Sequence, residues 1–188
     1  MKRHTTYLML SFVMVFWTSG IIVAKTVGNS IGALEFSLLR WGFAVFFLAP
    51  FALPKISTRM TEVSSKLKQV FFLGVFMAGG STALIWSVQM TTVFNAALFS
   101  ATQPILTAGL IFLLFSQALN RIQYLGIIFG FLGTLLIISN VDMSLIIGMS
   151  FNQGDLLVVL AVLFYSLYAI YLNRWLPDFC AISVMFLS

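Results

Sequence analysis

The sequence predicts an all-α integral membrane protein, a polytopic helical bundle of six full spans and a partial seventh. Three observations predict it. The mean hydropathy is +1.06. Only 8% of the 188 residues are charged, where soluble domains carry about a quarter. Apolar runs of about 20 residues, the length that crosses a hydrocarbon core, recur along the chain. Helices of a soluble core would need polar faces, and long stretches here have none.

In chain order the spans lie near Tyr7–Ala24, Phe36–Leu53, Val70–Met90, Phe94–Phe115, Tyr124–Ser139 and Leu156–Leu172. The first follows Lys2 and Arg3 without a small-x-small cleavage site, and its apolar run continues through Ile21, Ile22 and Val23. It reads as a retained helix, not a removed signal peptide. The second opens beside Glu35 and carries Arg40 about one turn inside its outer end. The fifth is short and gains length by taking in Ile122 and Gln123. A seventh begins at Phe179 and stops at Ser188 after ten residues, about half a bilayer crossing.

The loops set the orientation. Lys2, Arg3, Lys55, Arg59, Lys66, Lys68, Arg121 and Arg174 all fall on one side, which the positive-inside rule makes cytoplasmic, with the N-terminus inside. Lys25, Asp142 and Asp155 occupy the opposite loops. The net charge of +5 is spread over short loops, a pattern of membrane orientation and not of nucleic-acid binding. His4 is a solvated charge in a basic tip, and Cys180, the one cysteine, has no partner for an internal disulfide. Neither suggests a metal or a cofactor.

A weak repeat links the two ends of the chain. "MVFWTSGIIVAK", from Met14, lies over "VLFYSLYAIYLN", from Val162, pairing Phe16 with Phe164, Trp17 with Tyr165 and Thr18 with Ser166. Five spans separate the copies, so the second enters the membrane from the opposite side. Such inverted repeats recur in secondary transporters. The fold is thus a five-span repeat plus the start of an inverted second one: 1–140, an outer loop over 141–154, and 155–188.

Several segments, in order, resemble the EamA-type branch of the drug/metabolite transporter superfamily. "FWTSGIIVAK" is similar to the family's first helix, with Trp17, Ser19 and Lys25. "FSLLRWGFAVFFLAP" resembles its second, with the single arginine Arg40. "ALFSATQPILTAGLIFLLF" is similar to the fourth, with Pro104, "YLGIIFGFLGTLLIIS" to the glycine-rich fifth, and "GDLLVVLAVLFYSLYAIY" to the opening of the second repeat. The resemblance implies an inner-membrane permease that moves small metabolites, amino acids or drug-like compounds, often outward. It also implies alternating access around a cavity lined by helices one to four of each repeat. Family members usually have ten spans, whereas this chain has one repeat, one further span and a fragment. A truncated or partner-dependent protein without transport of its own is the alternative expectation.

Candidate substrate-binding residues are Trp17, Ser19, Arg40, Trp86, Gln103 and Tyr165. In "SATQPILTAG", residues 100–109, Pro104 removes a helix hydrogen bond, and Gln103 brings several hydrogen-bonding sites to mid-span. A kink lining a cavity explains the stretch; polar packing between helices explains it without a ligand. Arg40 either holds an anionic group, pairs across helices or snorkels to the interface. Lys25 reads as an interfacial anchor, and Trp41 and Trp175 as packing or belt residues. Trp17 and Tyr165 stand out because the repeat puts them on equivalent faces of the cavity. Gly126, Gly130 and Thr134 form a small face for tight helix packing, with a homodimer as the alternative.

Enzymatic chemistry has no support: one histidine and one cysteine, far apart, offer no nucleophile–base pair or metal set. No carboxylate sits at mid-membrane, so proton coupling through one has no support either; Glu35 and Asp155 each begin a helix, where a negative charge suits the dipole. The expected partners are the lipid bilayer and a small-molecule substrate, with no nucleic acid and no cofactor.

Overall fold

The computed structural model describes residues 3–28, 30–139, 150–179 and 181–188. All regular elements among them are helices: α1 (Arg3–Val27), α2 (Ala33–Ser57), α3 (Met60–Ser65), α4 (Leu67–Met90), α5 (Val93–Ser100), α6 (Gln103–Phe115), α7 (Arg121–Ser139), α8 (Gln153–Trp175) and α9 (Ala181–Leu187). The readings placed on Lys2, Asp142, Cys180 and the His4 side chain fall outside the described residues, as does most of the loop over 141–154.

Where the sequence predicts six full spans, five stretches of the described residues are long and apolar enough to cross a membrane. They are Tyr7–Val27, Ala33–Ser57, Leu67–Met90, Val93–Phe115 and Gln153–Trp175. The expected fifth span is represented by the shorter apolar stretch Arg121–Ile137 of α7. Its start lies where Ile122 and Gln123 were expected to extend it. The reason is local: Asn120 and Gln123 cap one another, Asn120 N donating to Gln123 Oε1 at 2.9 Å and Gln123 N to Asn120 Oδ1 at 2.8 Å.

The fourth span is broken into α5 and α6 at Ala101–Thr102. Pro104 has no N–H to give the Ser100 carbonyl. The break is stitched by hydroxyls: Thr102 donates to Phe99 O at 2.6 Å and Thr107 to Gln103 O at 2.8 Å. Thr107 also reaches the buried Ser166 of α8 at 2.9 Å.

The centre of the bundle is α4 against α8, the most extensive helix pair. Gly79 and Gly80 make it close: a Cβ on Gly79 would meet the Phe164 ring at 3.1 Å, and one on Gly80 the Tyr165 ring at 3.2 Å. Leu84, Val88, Val158, Ala161 and Val162 fill the core between them. α1 and α2, by contrast, are exposed along most of their length.

The Arg174 end of the bundle is tied by cations to carbonyls and rings. Arg59 Nη1 donates to Asp178 O at 2.7 Å and Lys66 Nζ to Trp175 O at 3.1 Å. Both lie over the Phe179 ring, and Arg174 lies 3.4 Å over Phe115. Lys66 and Arg59 also flank Glu62 at 3.5 and 2.8 Å, partly exposed pairs that contribute little by themselves. The short α9 lies against α2, where Ala52 and Ile56 are buried beneath Phe186 and Leu187.

Candidate functional site

Three of the six candidate residues come together. Arg40 and Trp17 line a cavity of about 520 Å³ between α1 and α2, with Phe12, Val13, Phe16 and Gly20. Arg40 also interacts electrostatically with the Tyr165 hydroxyl of α8. The guanidinium sits 5.5 Å from the Trp41 ring. It makes no ion pair or hydrogen bond with any described residue. Trp17 remains 50% exposed, its ring open on the cavity side.

Around Arg40 lies a set of polar atoms that the sequence reading passed over. The indole Nε1 of Trp41 and the hydroxyls of Ser37 and Ser81 are buried without a hydrogen-bond partner. Ser37 and Ser81 are only 3% and 2% exposed. Ser37, Arg40 and Trp41 share a face of α2, spaced by three and four residues. Ser81 follows Gly80, where an added Cβ would lie 3.2 Å from the Tyr165 ring, and its hydroxyl forms no hydrogen bond there. Each buried group left unpaired costs about 1–3 kcal/mol. Trp41, expected to be a packing or belt residue, is therefore part of this polar cluster. Nothing in composition distinguished it; Ser37, four residues before it, and its neighbour Arg40 on the same face were the available signal.

The other candidates lie elsewhere. Gln103 lines a larger cavity of about 970 Å³ between α5, α6 and α7, together with Ser100, Pro104, Thr107, Gly126, Gly130 and Thr134. The kink is thus on a cavity wall. Gly126 and Gly130 were expected to permit tight packing, yet nothing lies within 4 Å of a Cβ built on either. They widen the cavity because α7 stands off from α6 at this level. Thr134 donates to Gly130 O of its own helix at 2.9 Å. Ser19 likewise spends its hydroxyl on Phe16 O at 2.8 Å, and Trp86 stands 46% exposed on α4. Among the described residues neither forms a hydrogen bond with the Arg40 cluster.

A second polar cluster closes the Lys25 end of the bundle. Asp155, 0% exposed, accepts from Thr91 Oγ1 at 2.6 Å, from Asn95 Nδ2 at 3.1 Å and from Asn152 N at 2.8 Å. Asn152 caps α8 and donates to Thr91 Oγ1 at 2.9 Å. Lys25, expected to be an interfacial anchor, donates to Thr91 O at 2.9 Å and so ties α1 to the same point. Asp155 was legible as a negative charge at a helix start. Its capping partner Asn152 and its long-range partners were not.

Comparison with known proteins agrees with this architecture. The model of the EamA-like transporter family matches residues 4–139. A protein of Bacillus subtilis (strain 168), named as an uncharacterized transporter, YyaM, is 28% identical over 184 residues. That match covers 95% of the chain and 59% of the Bacillus protein, so the chain spans under two thirds of its relative's length. No solved structure matches the chain. A family match across α1 to α7, on a bundle of apolar helices with a broken fourth span, settles the identity at the level of family: the chain is a multi-pass membrane protein and belongs to the EamA-like transporter family.

Proposed function

We propose that the protein serves as a plasma-membrane permease for small organic compounds, working by alternating access and not as an enzyme. The observation that carries the reading is Arg40. A charge at the centre of a spanning helix costs about 2.5–3.5 kcal/mol on insertion scales and less toward an end, where Arg40 lies, and this one has no ion pair among the described residues. It stands beside a cavity with Trp17 and near Tyr165. A residue so costly and so poorly partnered suits a group that meets its partner only when substrate is present.

In this reading Trp17, Arg40 and Tyr165 hold the substrate, and Gln103, on its separate cavity wall, belongs to the path or to the hinge at Pro104. The N-terminus is cytoplasmic. The gathering of Arg59, Lys66 and Arg174 at one end supports that orientation. Cells producing the protein are compared with cells producing Arg40→Ala, by untargeted measurement of compounds inside and outside. At least one small metabolite, amino acid or drug-like compound is expected to redistribute with the wild type alone. Identical distributions in both would defeat the proposal.

One observation favours a second reading, a protein that acts only with a partner, whether a second copy or another chain. Leu38, Phe46, Phe47 and Phe51 of α2 and Phe12 and Phe16 of α1 remain exposed, a surface that lipid or another helix covers. Crosslinking in native membranes separates these occupants.

A further inference from the structure

We propose that Arg40, with Trp41, Ser81 and Tyr165, receives the carboxylate of a small organic anion that carries no ammonium group. The apolar part of that anion lies in the aromatic cavity beside Trp17. The inference rests on the permease reading and specifies its substrate class.

The hydrogen-bonding inventory is one-sided. Arg40 offers five N–H donors and Trp41 one, and neither side chain can accept. Neither finds an acceptor among the described residues. Ser37 and Ser81 add two unpartnered hydroxyls. Those hydroxyls can donate as well as accept, so the site's donors outnumber its acceptors, and an ionised carboxylate, which only accepts, complements it. The planar guanidinium matches it by a pair of parallel hydrogen bonds. One positive charge balances one negative charge; a dianion would leave an excess charge in an apolar span.

The same inventory argues against a zwitterion. Glu62 is engaged with Arg59 and Lys66, and Asp155 is sealed in its own cluster with Thr91 and Asn95. Glu35 accepts from the Gly32 backbone at the start of α2, and Asp178 follows the end of α8. No described carboxylate is left at Arg40 to meet an ammonium. The cavity is walled by Phe12, Val13, Phe16 and Trp17, and its volume of about 520 Å³ falls within the range of small-molecule sites, about 300–1,000 Å³.

The test uses the full chain in lipid nanodiscs and three probes on one skeleton: 3-phenylpropionate, L-phenylalanine and 3-phenylpropanol. Binding is read by isotope-labelled ligand and by tryptophan fluorescence. Saturable binding of 3-phenylpropionate is expected, with the zwitterion and the alcohol weaker by about tenfold or more. Arg40→Gln is expected to lower the anion's affinity by about ten- to a hundredfold, and Ser81→Ala and Trp41→Phe to lower it by smaller factors. Equal binding of phenylalanine or the alcohol to the wild type overturns the proposal without any variant. So does absence of saturable anion binding. Flux is measured separately in proteoliposomes. Anion binding without flux of any probe keeps the site and removes the permease reading. Flux of phenylalanine that Arg40→Gln leaves unchanged keeps the permease and removes the site.

Discussion

Two polar clusters sit in this apolar chain, and they are built on opposite plans. At the Lys25 end, the Asp155 carboxylate is fully buried and accepts three hydrogen bonds, and its donors Thr91 and Asn95 have further partners of their own. At mid-bundle, the Trp41 indole and the Ser37 and Ser81 hydroxyls are buried with none among the described residues, beside an Arg40 that has no counter-ion among them. A satisfied network fixes structure, because every member loses a partner if the helices move. An unsatisfied one stores a cost that some other arrangement or some ligand can relieve. Burial alone would rank Ser37 and Ser81 with Asp155, Thr91 and Asn95; the state of the hydrogen bonds separates them.

The contrast can be broken most directly at Asp155. Asp155→Ala removes the N3 half of the capping box and the acceptor of Thr91 and Asn95, and is expected to destabilise the protein by about 2–4 kcal/mol. A fall in the thermal midpoint in detergent, with less protein in the membrane, checks it. Arg40→Leu is expected to act in the opposite direction, gaining about 1–2 kcal/mol of insertion free energy while abolishing solute redistribution. A glycosylation-mapped insertion assay reads the first effect and a flux assay the second. If Arg40→Leu destabilised the protein as Asp155→Ala does, Arg40 would be structural and the distinction between the clusters would fail.

The glycines sharpen the comparison at smaller scale. Gly80→Ala sets a methyl 3.2 Å from the Tyr165 ring and is expected to cost about 1 kcal/mol, read as a lowered midpoint. Gly130→Ala faces open space and is expected to gain up to about 1 kcal/mol from helix propensity, read in the same melt. Ser81→Ala and Thr91→Val separate the clusters by sign: removing the orphaned Ser81 hydroxyl is expected to raise stability by about 1 kcal/mol, where Thr91→Val, which removes an engaged one, lowers it.

Apolar length and charge bias made the membrane fold legible, because insertion is decided by each segment's own composition. The Pro104 break was legible for the same local reason: a missing N–H acts on its own helix wherever the helix lies. Asp155 at the start of α8 was legible for a local reason too, as a negative charge at a helix N-terminus. What escaped the sequence was side-chain convergence between distant helices. Trp41 looked like any interfacial tryptophan until α4 brought Ser81 beside the α8 residue Tyr165. The Gly126–Gly130 spacing permits close packing, but whether a neighbouring helix takes up the invitation depends on where α7 stands, and here α6 stays away. Six residues chosen for polarity or aromaticity therefore sorted into one joined group of three and three separate positions.

The Thr91–Asp155 bond also has a meaning in time. Its partners are 64 residues apart in the chain, and at about 5–20 residues per second the carboxylate emerges about 3–13 s after the hydroxyl that it will accept. Throughout that interval Thr91 and Asn95 wait at the rim of the fourth span for an acceptor that has not been made. Water, headgroups or the insertion machinery must serve in its place. The helix that completes the centre of the bundle is thus synthesised after α1 to α7, and those helices enter the membrane before this neighbour exists.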